Sequence, residues 1–410
     1  MEKMIETSVQ IGFVGDIALT HDYDVLHGAK GPRYPFELMK DVFSRHDLLV
    51  GNLEAPLCLG GEPYPMKLSL KTHPGYAAGI KEAGFTALTL GNNHILDYRD
   101  PAFYDTLALL DAQGILWCGA GKDLTEARRP VLMEKGGVTV GMISCCEVTI
   151  DSPFYASDET RGIAPMNLDH IEQDIASLKT SADIIVVSVH WGIEDWAYPT
   201  PQQIGNAHRI VDMGAHLVIG HHSHVLQGVE KYKHGYIAYS LGNFLFSDLD
   251  WRWVSEQGEV RHSHMKLNRT RRQSALFSAQ VSRSGIRSVR IIPCRLRNDL
   301  RIAPQDDPFS FHFRIKMLSE PIRLKRYNDF WTLYDAANTG WMRFLTQARR
   351  AKNVHKLFLY PVRLAGRHLE AGTKKPFSAH AGDGNAEPLS GRESTIIHFD
   401  KNTKSTLESL

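Results

Sequence analysis

Short apolar runs that end in glycine and a polar residue, separated by segments of helical period, recur along the first 250 residues. Val9-Gln10-Ile11-Gly12-Phe13-Val14-Gly15 predicts a buried strand ended by glycine, with Asp16 directly after it. A helix around Phe36 to Arg45 precedes a second strand, Asp47-Leu48-Leu49-Val50, which is followed by Gly51-Asn52-Leu53-Glu54. A helix from Gly75 to Ala83 leads to a third, Phe85 to Leu90, closed by Gly91-Asn92-Asn93-His94-Ile95-Leu96-Asp97. Asp100 and Pro101 supply an N-cap and a first-turn proline for a helix over Ala102 to Gln113. Ile115 to Cys118 and Val138 to Cys145 read as strands, residues 151–167 as loop, and Leu168 to Lys179 as helix. Asp183 to Val189 is the plainest buried strand and ends in His190-Trp191-Gly192-Ile193-Glu194. After a helix at about Pro201 to Met213, the run Ala215 to Ile219 stops at Gly220-His221-His222-Ser223-His224-Val225. Tyr236 to Tyr239 then leads into a tight turn, Ser240-Leu241-Gly242-Asn243-Phe244.

This alternation of strand and helix predicts an α/β domain. In open α/β sheets ligands gather outside the carboxyl ends of the strands. Asp16, Glu54, Asn93, His94, His190, His222 and His224 all fit that placement. Each has an ordinary explanation alone, such as a turn aspartate or a loop glutamate. Together, five such segments in one chain imply a shared site.

Beyond about residue 250 the pattern changes. Trp251 to Arg272 is polar and basic, and Ser274 to Val281 with Ile286 to Ile292 read as two alternating strands, a hairpin closing a sheet. Residues 309–369 read as helical and basic, and the end from about Gly372 as disordered. The expected organisation is therefore a domain over 9–295, a basic helical extension over 296–371 and a tail over 372–410. The near-neutral net charge of +1 hides an asymmetry: residues 1–250 carry 18 Lys+Arg against 32 Asp+Glu, the remainder 29 against 14. An acidic front and a basic back suggest two functional units or a part facing anionic material. The five cysteines have no CxxC pair, which disfavours a zinc ribbon and fits a reducing compartment. The start carries acids and no signal-peptide apolar region, and no run reaches membrane-spanning length, so the cytoplasm and no membrane anchor are the expectation.

One aspartate, one glutamate, one asparagine and several histidines, with no cysteine, suit a divalent ion bound by nitrogen and oxygen: Mn, Zn or Fe(II). A carboxylate can bridge two such ions, which clamp the oxygens of a displaced phosphoryl group and acidify a water, while a non-ligating histidine protonates the leaving oxygen. No Walker loop, G-x-S-x-G or Rossmann fingerprint competes for the site.

The ordered segments Gly15-Asp16, Asn52-Leu53-Glu54, Asn92 to Asp97, His190 to Glu194, Gly220 to Val225 and Ser240 to Phe244 resemble the motifs of CapA-type proteins. These are capsule-synthesis proteins associated with poly-γ-glutamate production, within the calcineurin-like metallophosphoesterase superfamily. The resemblance covers about residues 9–250 and implies a four-layer α/β/β/α sandwich with a dimetal site at its strand ends. It implies Asp16, Glu54, Asn93, His190, His222 and His224 as metal ligands, and His94 as the proton-donating histidine. His221 does not stand at a ligand position of the superfamily. Ala18 stands where the superfamily has a histidine, with His21 and Asp22 the nearest alternatives, and Glu54 stands where it has an aspartate. The function this implies is metal-dependent hydrolysis of a phosphoester or related bond on a phosphorylated or polyanionic substrate. The rival is a non-hydrolytic metal-binding component of polyanionic polymer synthesis; nucleic-acid binding by the basic back is a weaker third.

Overall fold

The computed structural model describes residues 7–64, 67–148, 154–254, 260–305 and 307–350. The tail expected over 372–410, and the part of the helical extension over 351–371, lie outside the described residues. Chain order begins with β1 (Val9–Ile17), α1 (Asp22–Lys30), α2 (Lys40–Phe43), β2 (Leu48–Leu53), α3 (Tyr76–Glu82), β3 (Ala87–Thr89) and α4 (Arg99–Ala112). It continues with β4 (Leu116–Cys118), β5 (Ala120–Gly121), α5 (Leu124–Arg128), β6 (Val131–Lys135), β7 (Val138–Cys146), β8 (Gly162–Ile163) and α6 (Leu168–Leu178). Next come β9 (Ile184–His190), α7 (Pro201–Met213), β10 (Leu217–His221), β11 (Val229–Tyr232), β12 (Gly235–Ala238) and β13 (Asn243–Leu245). β14 (Leu249–Val254), β15 (Val260–Met265), β16 (Gln273–Ser282), β17 (Gly285–Leu296), β18 (Ile302–Pro304) and α8 (Pro308–Ser319) complete a first compact unit that reaches Leu324. A second unit starts at Lys325, and its described element is α9 (Tyr327–Arg350).

Two sheets carry the first unit. One has eight strands in the order β18-β17-β16-β1-β2-β3-β4, with β13 also paired to β1; the other runs β11-β12-β10-β9-β7-β6. Ile11, Phe13, Val50 and Phe277 of the first sheet share a core with Val140, Met142, Val186 and Ile219 of the second, so apolar faces close on each other. The outer face of the first sheet buries Phe36, Tyr76, Ile80, Phe103 and Leu110. On the second, α6 buries Ile171, Ile175 and Leu178, and α7 buries Ile210 and Val211. The architecture is a four-layer α/β/β/α sandwich. Its parallel strands β1, β2 and β3 in one sheet and β9 and β10 in the other end on the same side of the molecule's chemistry.

Local chemistry explains the elements that lead to the site. β9 is buried along all seven residues, as its unbroken Ile-Ile-Val-Val-Ser-Val run requires of a strand covered on both faces. α7 starts with a full capping box between Thr200 and Gln203, with Pro201 in its first turn, and stops at Gly214, whose φ is 121°. The turn to β10 is thereby set.

Several expectations are corrected. β1 and β10 do not end at Gly15 and Gly220; they run on to Ile17 and His221. Where β16 leaves β1, β13 takes over as a parallel partner, pairing Asp16 with Asn243. A Cβ on Gly15 would collide with the carbonyl oxygen of Gly242, so this glycine permits a close backbone crossing. Asp100 does not cap α4, which begins at Arg99 behind Tyr98; its carboxylate accepts from Arg161 Nε at 2.5 Å instead. The helix expected around Phe36 to Arg45 is a 3-10 segment, Tyr34–Met39, with Pro35 in its first turn, joined to the single turn of α2. The polar stretch after Trp251 holds an antiparallel ribbon, β14 with β15. The β16–β17 hairpin forms as expected, but it widens the first sheet beyond β1. The boundary expected at 295/296 falls inside the first unit, because β18 pairs with β17 and α8 buries Phe311, Ile315 and Leu318 in the core between the sheets. Among the described residues no helix is long and apolar enough to cross a membrane.

Candidate metal centre

Register brings the polar residues together before any loop does. Asp16 on β1 lies across from Asn52 on β2, and Asn52 from Thr89 on β3. In the facing sheet His221, the last residue of β10, pairs with His190, the last of β9. The residues past these ends complete the site. His222 and His224 have φ of 86° and 57°, a left-handed backbone that non-glycine residues adopt only when the surroundings hold them there. Here the Asp195 N–H donates to the carbonyl of Ser223 between them at 2.8 Å, and Arg271 Nε pairs with Asp195 Oδ1 at 2.6 Å. Asn92 does similar work at the end of β3. Its Oδ1 accepts from the N–H groups of His94 and Ile95 at 3.1 Å each, and its Nδ2 donates to the Leu53 carbonyl at 2.8 Å.

Glu54 is the centre of the arrangement. It is completely buried, and neither carboxylate oxygen has a hydrogen-bond partner. His190 Nε2 and His224 Nε2 each lie 3.6 Å from Oε1. Glu54, His222 and His224 form one group with ligand atoms within 4.8 Å of one another, and Asp16, Glu54 and His190 form a second, so Glu54 belongs to both. Around them His190 Nε2 is 2.8 Å from Asn93 Oδ1 and 3.1 Å from His222 Nδ1, and His224 Nδ1 is 2.9 Å from Asn243 Oδ1. A buried carboxylate with no donor, set among imidazoles and an amide oxygen, is a donor set short of positive charge. It fits divalent cations.

The electrostatics agree. Burial, and then the nearby charge of Asp16, push the Glu54 carboxyl well above the usual carboxylate range. Burial would raise Asp16 too, but hydrogen bonds from His221 and His224 outweigh it and hold that carboxyl well below the range. Burial and the charge of His224 press His222 down to about 3. Burial and His222 likewise push His190 well below the ordinary imidazole value. Burial opposes a proton on His224, but the charges of Glu54 and Asp16 win and raise it to about 10. Both acids thus draw positive charge toward the space between the donor groups.

All seven residues singled out in the sequence converge. His94 lies near enough to His222 and His224 for their charges to be felt, and its Nδ1 is 2.7 Å from Asp97 Oδ2. Ala18 is fully buried and offers only its N–H, to the Leu245 carbonyl at 2.8 Å. His21 and Asp22 are exposed at the start of α1 and belong to neither donor group. Sequence reasoning missed Asn52, Asp97, Lys67 and Asn243. The buried Lys67 pairs with Asp97 and donates to the Asn93 carbonyl. An asparagine inside an apolar strand was a readable signal for Asn52, whereas nothing around Lys67 distinguishes it from a loop lysine.

Fold and site together define a four-layer α/β sandwich with two buried groups of side chains that could hold metal ions. A family model described as bacterial capsule synthesis protein PGA_cap matches residues 10–248. The chain is 32% identical over 265 residues to the capsule biosynthesis protein CapA of Bacillus anthracis, covering 63% of this chain and 64% of that protein. It is 32% identical over 263 residues to the PGA biosynthesis protein CapA of Bacillus subtilis (strain 168), covering 63% and 68%. Among solved structures, a putative 5'-nucleotidase from Staphylococcus aureus in complex with alpha-ketoglutarate is 16% identical with a TM-score of 0.41, covering 76% of this chain and 58% of that one. The chain belongs to the bacterial capsule synthesis family PGA_cap, and it spans somewhat less than two thirds of the Bacillus anthracis relative.

Proposed function

We propose that this protein is a metal-dependent hydrolase of the metallophosphoesterase type, cleaving a phosphoester or related bond in poly-γ-glutamate or capsule polymer metabolism. The observation that carries this reading is Glu54, a buried carboxylate without a hydrogen bond that two donor groups share. Leaving such a group uncompensated is costly, and a cation on either side removes the cost. Asp16, Glu54, Asn93, His190, His222 and His224 would hold two divalent ions, Mn, Zn or Fe(II), whose Lewis acidity polarises a phosphoryl oxygen and acidifies water.

The chain's own contribution to proton transfer is His94. Its Nδ1–H donates to Asp97 Oδ2, which fixes the ring and leaves Nε2 as the nitrogen that meets a leaving oxygen. Asp97 is held in turn by the Leu70 N–H at 2.7 Å and by Lys67. The roles for which the relatives are named, capsule and PGA biosynthesis, support the polymer link. The basic back of the sequence supports a polyanionic substrate. Five free, buried cysteines support the cytoplasm as its compartment.

Metal analysis of the purified protein, with turnover of a phosphodiester panel by wild type and His94→Ala, tests the reading. Full occupancy in both, with turnover lowered about 100-fold or more by the substitution, is the expected result. The second reading, a non-hydrolytic metal-binding component of polymer synthesis, is favoured by Ala18, which leaves β1 with Asp16 as its contribution to the donor groups. Occupancy without turnover in either protein would select it.

A further inference from the structure

Asp16 is held unequally at its two oxygens. Oδ1 accepts from Asn52 Nδ2 at 2.9 Å and from His221 Nδ1 at 2.9 Å. Oδ2 has only longer approaches, 3.4 Å from the backbone nitrogen of His222 and 3.6 Å from His224 Nδ1. A carboxylate oxygen with two good donors is largely satisfied, and its partner is the one left to bind a cation.

His221 itself lies outside both donor groups, although it is buried beside them. It sits on the second sheet, at the end of β10, and reaches Asp16 on the first. β1 has no imidazole of its own near Asp16, because position 18 is a buried alanine. Whatever fixes Asp16 must therefore come from neighbouring strands, and Asn52 and His221 are what the neighbours provide. We infer that His221 is a positioning residue: its Nδ1–H, with Asn52 Nδ2, locks Asp16 Oδ1 and aims Oδ2 at the cation held with Glu54. Holding a ligand by hydrogen bonds from outside the coordination shell preorganises it and raises ion affinity. The histidine next to the His222–His224 pair, which is not itself in either group, acquires a role through Asp16. The inference rests on the two-ion reading given above.

The expectation is an asymmetric loss of metal binding. Mn(II) and Zn(II) titrations by calorimetry on metal-free wild type, His221→Ala, His221→Phe and His221→Asn separate the two binding steps. His221→Ala and His221→Phe should weaken one step by about 10- to 100-fold and leave the other within about threefold. His221→Asn places an amide N–H near the position of Nδ1–H and should restore the weakened step to within about threefold of wild type. If His221→Ala does not fold, the Phe and Asn variants carry the comparison, since Phe fills the site without a donor and Asn keeps a donor. Unchanged binding in the Phe variant overturns the inference, as does an Asn variant no better than Phe, or equal loss at both steps. A wild type that binds neither ion overturns the metal reading itself, an outcome distinct from any of these.

Discussion

Asp97 Oδ2 lies 2.7 Å from Nδ1 of His94, three residues earlier in the chain, and the same carboxylate accepts from the Leu70 N–H and from the buried Lys67. Three donors share the two oxygens of one buried acid, His94 and Leu70 on Oδ2 and Lys67 on Oδ1. Asp97→Asn would turn an amide NH2 toward at least one of them and leave the Lys67 ammonium without its counter-ion. The expected cost is about 3–5 kcal/mol of folding stability, with loss of any His94-dependent turnover. Urea denaturation of the metal-free protein checks the first part, and a stability within about 1 kcal/mol of wild type would show that the cluster is not tightly coupled.

Glu54 presents the opposite case, an acid with no donor at all. Glu54→Gln replaces a buried carboxyl that is costly to ionise with a neutral amide of the same shape, so at a pH where that carboxyl is ionised the metal-free variant should be more stable than wild type by about 1–3 kcal/mol. It should also lose its response to ions. Wild type with Mn(II) at about a hundred times its dissociation constant gains about 2.7 kcal/mol, and the variant should gain less than about 1. Thermal melts with and without the ion read both effects. A variant that is less stable when metal-free would mean that Glu54 has structural partners instead.

The crossing of β1 with the turn before β13 depends on the missing side chain at position 15. Gly15→Ala would push a methyl group into the Gly242 carbonyl, and the Asp16 N–H donates to that same carbonyl at 2.9 Å. Backbone has to move on both sides. A loss of about 3 kcal/mol or more, with weakened ion binding, is expected from soluble yield, denaturation and calorimetry.

Acid sensitivity has a source away from the centre. His216 Nδ1 accepts from the Ile185 N–H at 3.0 Å, and burial, followed by the charge of His234, lowers its pKa from the ordinary 6.5. A histidine whose folded pKa is depressed contributes stability above its unfolded value and loses it as pH falls from there. His216→Asn keeps an acceptor and removes the titration. Between about pH 7.5 and pH 5.5 the variant should therefore lose less stability than wild type, as read from urea midpoints. Parallel losses would assign the sensitivity elsewhere.

Much of the frame was legible because buried parallel strands are written as unbroken apolar runs. β9 and β10 could be read from Ile184 to Val189 and from Leu217 to Ile219, and α7 from about Pro201 to Met213. The site was legible for the same reason: Asp16, His190 and the His222–His224 pair interrupt runs where a polar group is expensive without a purpose. What stayed hidden depends on partners distant in sequence. Asp100 has the makings of a cap, and only the position of Arg161 shows that its carboxylate is taken. Gly15 reads as a strand end until β13 is seen beside it, because a close crossing leaves the same glycine as a stop. Lys67 comes from a loop with no period at all, and its role exists only through Asp97. The ribbon of β14 and β15 went unread although Leu249, Trp251 and Trp253 alternate with Asp250 and Arg252, because the basic residues that follow drown that short alternation.

Asp16 meets its partners at very different moments of synthesis. Asn52 follows it by 36 positions, so β1 and β2 can pair early. His221 comes 205 positions after Asp16, and the β13 strand later still. At about 5–20 residues per second, a ribosome takes about 10 to 40 seconds to bridge the interval to His221. Throughout that time the Asp16 end of β1 has β2 on one side only, and its carboxylate has Asn52 as a donor but not His221. The centre is therefore a late product of translation: a chain stalled before β10 emerges would carry one donor group, Asp16, Glu54 and His190, and lack the other, which needs His222 and His224.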